Sequence, residues 1–249
     1  MPLVPITNVG EHGIVKDINA WQLPPNAWTE GNNIRAEHNA IQKSPGYLEV
    51  MESCPIAPYF ITNLEVGGAN YWIVGGLAKI YVHNGTTWTD ITRASGGDYS
   101  ATARENWTAT VLGGILVMSN GYDAPQFWAL AAGIPAVTTK MADLTYWPAS
   151  TECKSLRAFK SFLVALNVTK SSVPYTSLVK WSTAAATQAV PLSWDETSPT
   201  VDAGEYALED SKGIIVDGLP LRGEFMIYKQ YSTYKMSFVG NPFIFAFTQ

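Results

Sequence analysis

"PYFITNLEVGGANYWIVGGLAKIYVHNGTTWTDITR", residues 58–93, indicates the fold class most clearly, because it joins short apolar segments with tight-turn signals. Its Asn84-Gly85 dipeptide is a strong hairpin signal, because both residues accept positive φ. The alternation of apolar and polar residues between the turns is typical of strands rather than helices. The stretch therefore predicts a small four-stranded sheet with strands at 58–65, 69–74, 79–83 and 87–91.

The same order of apolar strands and turn signals recurs along the chain in four units, which are more similar in spacing than in residue identity. A second Asn-Gly pair ends at Gly121, which follows Gly85 by 36 residues, a spacing within the range of a propeller blade. Stacking of four-stranded sheets around an axis is the propeller solution to exposed sheet edges. The sequence therefore predicts an all-β, β-propeller-like domain over residues 56–249, either whole or part of a larger or shared propeller. Its predicted blades lie near 58–93, 105–145, 155–196 and 206–249.

Three tryptophans fall near the ends of successive units, at Trp88, Trp128 and Trp194. A flat indole ring there can bury apolar area between one twisted sheet and the next. Asp90 and Thr92 can close the following turn through side-chain hydrogen bonds to the backbone. We therefore expect Trp88, Asp90, Trp128 and Trp194 to be structural residues at the seams between blades.

Residues 1–55 have a different pattern. A Pro-Pro lead-in precedes a predicted hairpin, "NNIRAE" and "AIQKSPG", whose turn is His38-Asn39. We interpret this part as an N-terminal arm and hairpin that docks onto a partner. Aromatic residues in loops are frequent interface anchors, so Trp21, Trp28 and Trp147 are candidate interface residues.

Composition limits the classes of partner. The chain has 249 residues, 16 Lys and Arg against 21 Asp and Glu, and a net charge of −5. It has no run of basic residues, which argues against tight nucleic-acid binding through phosphate neutralisation. The N-terminus lacks the pattern of a signal peptide, and no apolar run is long enough to span a membrane. We expect Cys54 and Cys153 to be free thiols of a reducing cytoplasm rather than a disulfide.

No pattern of catalytic or metal-binding residues stands out. His12, His38 and His83 do not pair with other ligand residues at metal-binding spacing, and no G-x-S-x-G elbow is present. The paired carboxylates at 194–196 and 208–210 are candidates for glycosidase chemistry, but we expect them to be solvated loop charges. The sequence therefore predicts no enzyme activity, no cofactor and no metal.

Residues 24–46, "PPNAWTEGNNIRAEHNAIQKSPG", resemble the opening of the tail nozzle proteins of short-tailed bacteriophages. These are also called phage stabilisation or tail tubular B-type proteins. The usual Asp-Gly turn is replaced here by His38-Asn39. The stretches "WTATVLGGILVMSNGYDAPQFW", "LVKWSTAAATQAVPLSWDE" and "GEFMIYKQYSTYKMSFVGNPFIF" resemble the propeller strands of that family.

The resemblance implies a structural subunit of the virion tail that assembles in the host cytoplasm. It implies a ring, a hexamer in this family, below the portal and adaptor rings, which docks tail fibres or spikes. DNA would pass through the lumen without specific binding, and no catalytic residue is implied. Members of the family are typically longer, and this chain ends within an alternating apolar strand. A neighbour, the N-terminal arm, a second chain or a missing remainder would each cover that edge.

Two other classes of function stay open at this point. "HNGTTW" shares Gly85, Thr87 and Trp88 with the Asp-box of sialidase-like propellers, which suggests a carbohydrate-binding or glycoside-hydrolysing propeller. An intracellular protein-binding propeller without a viral role would have the same strand pattern.

Overall fold

The computed structural model describes residues 5–102, 107–128, 139–240 and 242–249. These residues form an all-β structure with one two-stranded and four four-stranded antiparallel sheets. Contacts divide the chain into two units, Met1–Val50 and Met51–Gln249, whereas the sequence places the boundary near residue 55. Parts of the predicted arm and second blade lie outside the described residues, namely 1–4, 105–106 and 129–138.

The described part of the first unit, residues 5–50, contains one hairpin, β1 (Ile34–Glu37) paired with β2 (Ala40–Lys43). Its turn residues His38 and Asn39 both adopt positive φ, as a type I′ turn requires. A parallel bridge joins Ile14 to Trp28, and a single 3-10 turn covers Ala20–Gln22. No residue from 5 to 50 is buried, so backbone hydrogen bonds rather than a core organise this unit.

The second unit contains four sheets in which strands adjacent in sequence are also adjacent in space. The first sheet comprises β3 (Phe60–Val66), β4 (Ala69–Gly75), β5 (Ile80–His83) and β6 (Trp88–Asp90). The second comprises β7 (Thr108–Leu112), β8 (Ile115–Ser119), β9 (Gln126–Trp128) and β10 (Met141–Asp143). The third comprises β11 (Thr151–Phe159), β12 (Phe162–Lys170), β13 (Val173–Trp181) and β14 (Gly204–Ala207). The fourth comprises β15 (Ile215–Leu221), β16 (Glu224–Lys229), β17 (Thr233–Phe238) and β18 (Phe245–Thr248).

The boundary between the third and fourth sheets differs from the sequence expectation. Residue Tyr206, where the fourth unit is predicted to begin, belongs to β14 and pairs with Val179 of β13. The strand returns to its sheet after a loop of residues 182–203, and this long connection hides the pairing in the sequence. Gly204 makes the return possible, because a Cβ atom there would lie 2.5 Å from the Trp181 ring.

The four sheets stack in chain order with an apolar core between each successive pair. On β8, Leu116 belongs to the core shared with the first sheet, whereas Val117 belongs to the core shared with the third. On β12, Leu163 and Val164 divide in the same way between the second and fourth sheets. Alternation along a strand thus supplies two cores, which explains why the central strands are apolar on both faces.

Among the described residues, no helix has the length and apolar character needed to cross a bilayer.

Candidate functional site

The first strands of the second, third and fourth sheets lie side by side, and hydrogen bonds join them. The amides of Leu156 and Ala158 on β11 donate to the hydroxyls of Thr108 and Thr110 on β7, at 3.4 and 2.9 Å. Because β11 is an edge strand of its own sheet, side chains of the preceding sheet satisfy its edge amides. The side-by-side arrangement of the first strands is therefore fixed by specific polar contacts.

Arg157 on β11 connects three sheets at this position. Its guanidinium donates to the Asp217 carboxylate of β15 through Nε at 3.0 Å and through Nη2 at 2.6 Å. Its remaining terminal nitrogen donates to the carbonyl of Ala109 on β7 at 3.1 Å. A two-pronged arginine–carboxylate pair has a fixed geometry, so this contact sets the spacing and the register of the sheets.

The Asp217 carboxylate is held in its charged form. Burial alone would raise its pKa, but hydrogen bonds from Arg157 and Ser155 and from the Gly218 amide outweigh burial, so its pKa is lowered. The charge on Asp217 thus depends on contacts from the neighbouring sheet.

A second polar cluster joins the first and second sheets around Arg93, which follows β6. Arg93 pairs with Asp123 at 3.0 Å, and both side chains are almost completely buried. The Arg93 amide donates to the Tyr99 hydroxyl at 3.2 Å, and that hydroxyl donates to Gln126 on β9 at 3.3 Å. Burial is the main cause of the raised pKa of Tyr99, so its hydroxyl stays protonated and serves as a hydrogen-bond link.

A third cluster carries alternating charges on the third sheet. The Lys180 ammonium, which is 1% exposed, contacts both Glu196 and Glu205, and Lys170 contacts the same two carboxylates. Burial acts to raise the pKa of Glu196, but the hydrogen bonds that its carboxylate accepts from Lys180 and from its own backbone amide, together with the charges of Lys180 and Lys170, outweigh burial and the pKa falls to about 2. The pair of acids gives the buried lysine the partners it needs.

The predicted seam residues Trp128 and Trp194 both lie within cores between sheets. Trp128 on β9 is fully buried, meets Tyr71 of the first sheet edge to face at 5.7 Å, and donates its indole N–H to the Thr139 carbonyl. Trp194 is buried in the core between the second and third sheets, where it meets Trp147 edge to face at 4.6 Å.

Trp88 and Asp90 have different surroundings. Trp88 is half-buried against His83 of its own sheet, and its indole N–H donates to the carbonyl of Glu52. It therefore contacts the chain at Glu52, near the start of the second unit, and is not a member of the core between the first two sheets. Asp90 accepts a hydrogen bond from the Thr92 amide at 2.8 Å and pairs with Lys140, which precedes β10 of the second sheet.

The three candidate interface tryptophans differ in exposure. Trp21 is 86% exposed, Trp28 is 41% exposed and donates its indole N–H to the Val9 carbonyl, and Trp147 is half-buried against Trp194. Trp21 therefore has the largest surface available to a partner, whereas Trp147 contributes mainly to a core.

Other candidate chemistry is spread out. No group of three or more ligand residues that could hold a metal occurs in the described parts of the chain. His83 is buried and accepts a hydrogen bond from the Gly85 amide, while His12 and His38 lie in the first unit. Cys54 and Cys153 are free thiols, and burial raises the pKa of Cys153 to about 12. Of the carboxylates in the two short acidic stretches, Glu196 is ion-paired, whereas Asp195, Glu209 and Asp210 are exposed.

Sequence reasoning missed the arginines that connect the sheets. Arg157 stands alone among apolar residues in "SLRAF", and an isolated charge within a buried strand is the available signal that it needs a partner. Its partner Asp217 lies 60 residues away, so the pairing follows from the fold and not from spacing.

No family model matches the chain, and no curated protein matches it either.

Proposed function

We propose that the four sheets are consecutive blades of a β-propeller-like domain, and that the chain is a structural subunit of a bacteriophage tail. The observation that carries this proposal is the side-by-side arrangement of β7, β11 and β15, each the first strand of its sheet. First strands gathered along one line, with sheets stacked in chain order, are the arrangement that blades around an axis require. The resemblance of residues 24–46 to tail nozzle proteins supplies the biological context.

The proposed role is mechanical, and the contacts between sheets suit it. Each successive pair of sheets shares a core, and Arg157 adds a charged contact that spans three of them. Packed sheets held by both kinds of contact form a wall that resists deformation while a genome passes. The net charge of −5 favours passage of DNA without adhesion, because few phosphates would be neutralised.

In this proposal, copies of the chain form a ring, a hexamer by resemblance, that serves as a conduit below the portal and adaptor rings. It would also provide the platform for tail fibres or spikes. Heterologous contacts between identical subunits form a closed ring when the rotation from one subunit to the next brings the last subunit back into contact with the first. The first unit, with its exposed Trp21, is the part that we assign to docking on a neighbouring ring.

The test is to purify the chain alone and with candidate portal and adaptor proteins, and to record native mass spectra and negative-stain images. We expect a ring with a central opening, in at least the sample that contains its neighbours. A monomer in every sample would contradict the proposal. Detection of the chain in purified virions would separate the tail role from that of an intracellular protein-binding propeller.

The carbohydrate-binding or glycoside-hydrolysing alternative has a direct test of its own. A glycan array and a panel of fluorogenic glycosides would reveal binding or turnover, and a positive result would replace the tail proposal. The Asp-box fragment supports this alternative weakly, because Trp88 already packs on His83 and its indole N–H is already paired.

A further inference from the structure

A short segment at the end of the first unit exposes unusually large apolar side chains. Tyr47, Leu48 and Val50 are 108%, 87% and 86% exposed, and residues 44–50 belong to no strand or turn. Large apolar side chains that are exposed together, rather than singly, are typical of a surface that contacts another protein. The order Tyr-Leu-Glu-Val also suits a strand, because Leu48 and Val50 would share one face.

A matching surface lies beside the last strand of the fourth sheet. β18 pairs only with β17 among the described strands, so its other edge is open. Next to it is a groove of about 840 Å³ lined mainly by apolar residues, including Tyr206, Phe243 and Phe247. Phe243 is 75% exposed, and Tyr206 stacks on Phe247 with ring centroids 4.8 Å apart. An open edge beside an apolar groove is the arrangement by which proteins accept an added peptide strand.

We propose that residues 46–50 of a second copy of this chain add as a strand to the open edge of β18. Leu48 and Val50 would then enter the aromatic groove, and Tyr47 and Glu49 would lie on the opposite face of the sheet. That face carries Lys235 of β17, which is paired in register with Thr248 of β18, so a complementary charge lies on the same face as Glu49 with only β18 between them. The inference rests on the proposed ring and names the contact that closes it.

The second copy is the occupant because every chain carries both the exposed segment and the open edge. The contact is therefore head to tail, the type that generates rings. It would also cover two surfaces that favour uncontrolled association when left open, an unpaired strand edge and an exposed apolar segment.

Photo-crosslinking tests the contact directly. Leu48 is replaced by benzoylphenylalanine, and equal amounts of ¹⁴N-labelled and ¹⁵N-labelled protein are mixed, irradiated and digested for mass spectrometry. We expect cross-links from position 48 to residues 242–247 that join a light chain to a heavy chain. Cross-links within a single chain, or to other surfaces, would overturn the proposal.

Two variants and a peptide provide the quantitative test. Phe243→Asp should weaken self-association at least about tenfold, the loss typical of an interface anchor, while its thermal unfolding stays unchanged because Phe243 is mostly exposed. Leu192→Asp is the matched control, since Leu192 is 70% exposed but lies outside the groove, and it should associate like the wild type.

A fluorescent peptide with the sequence of residues 44–51, SPGYLEVM, should bind the wild type saturably and bind Phe243→Asp at least about tenfold more weakly. If Phe243→Asp still forms rings, this inference is wrong but the proposed function stands. If the wild type forms no ring even with all its neighbours, the proposed function is wrong. In that second case, the peptide decides the inference: a lack of saturable binding would show that the strand-addition contact is wrong as well.

Discussion

The two units of the chain use different means to hold their structure. Residues 5–50 contain no buried residue, and a type I′ hairpin with a single bridge organises them. The described residues from Met51 onward contain three apolar cores, each shared by two sheets. Burial of apolar area is the main source of folding free energy, so the second unit is expected to supply nearly all the stability.

This difference suggests a division of labour. A unit without a core gains order from its hydrogen bonds and from whatever it binds, which suits a docking role. A unit whose sheets share apolar cores and charged contacts is expected to be rigid, which suits the wall of the proposed conduit. Substitutions in the second unit should therefore change mainly stability, whereas those in the first unit should change mainly binding to a partner.

The largest effect is expected in the core between the third and fourth sheets. Phe225 is fully buried there and packs closely over Gly218. Phe225→Ala should lower the free energy of unfolding by about 3–5 kcal/mol, as measured by urea denaturation. A change below about 1 kcal/mol would show that this core does not support the second unit.

A smaller loss is expected when the contact across three sheets is removed. Arg157→Met leaves the Asp217 carboxylate without its two-pronged partner, and the expected cost is about 1–3 kcal/mol after allowance for partial exposure. Asp217→Asn in the same background provides the double-mutant cycle, and the two changes should be strongly non-additive. Simple additivity would mean that the pair does not couple the sheets.

The alternating charges on the third sheet predict a pH dependence. The pKa of Glu196 is lowered from 4.5 to about 2 in the folded state, so the folded protein binds this proton less readily than the unfolded chain. Its contribution is therefore present above pH 4.5 and is lost as the pH falls toward 2. Glu196→Gln should flatten the fall in stability across that window. The free energy of unfolding is measured by chemical denaturation at several pH values. If it falls with pH as steeply in Glu196→Gln as in the wild type, the lowered pKa of Glu196 is not the cause.

The smallest effect on stability is expected in the first unit. Trp21→Ala removes a side chain that is 86% exposed, so the free energy of unfolding should change by less than about 0.5 kcal/mol. If the unit docks on a neighbouring ring, the same change should weaken that association in a pull-down or native mass spectrum. A large loss of stability would show that the first unit also contributes substantially to the stability of the protein.

Local signals account for what the sequence predicted well. The strands of residues 58–93 were expected within about two residues of their bounds, because Gly-Gly and Asn-Gly turns fix short hairpins without long-range information. Trp128 and Trp194, which the sequence places near the ends of successive units, lie in cores between sheets. The His38-Asn39 hairpin is also a local feature, and the structure contains it.

Long-range geometry accounts for what the sequence did not predict. β14 joins its sheet only after the loop of residues 182–203. Arg157 of the third sheet pairs with Asp217 of the fourth sheet. The surroundings of Trp88 depend on the path of the chain near Glu52, which has no periodic pattern. These features require knowledge of which faces meet, and alternation along one strand does not contain that information.

Cryo-electron microscopy of the assembled protein measures directly whether the sheets are arranged radially within a ring of copies. We expect a ring in which each subunit places β7, β11 and β15 around a common axis, with the four sheets radiating outward as blades. A map in which the sheets clasp face to face as a two-layer sandwich, or in which the protein is a lone monomer beside its neighbours, would contradict it.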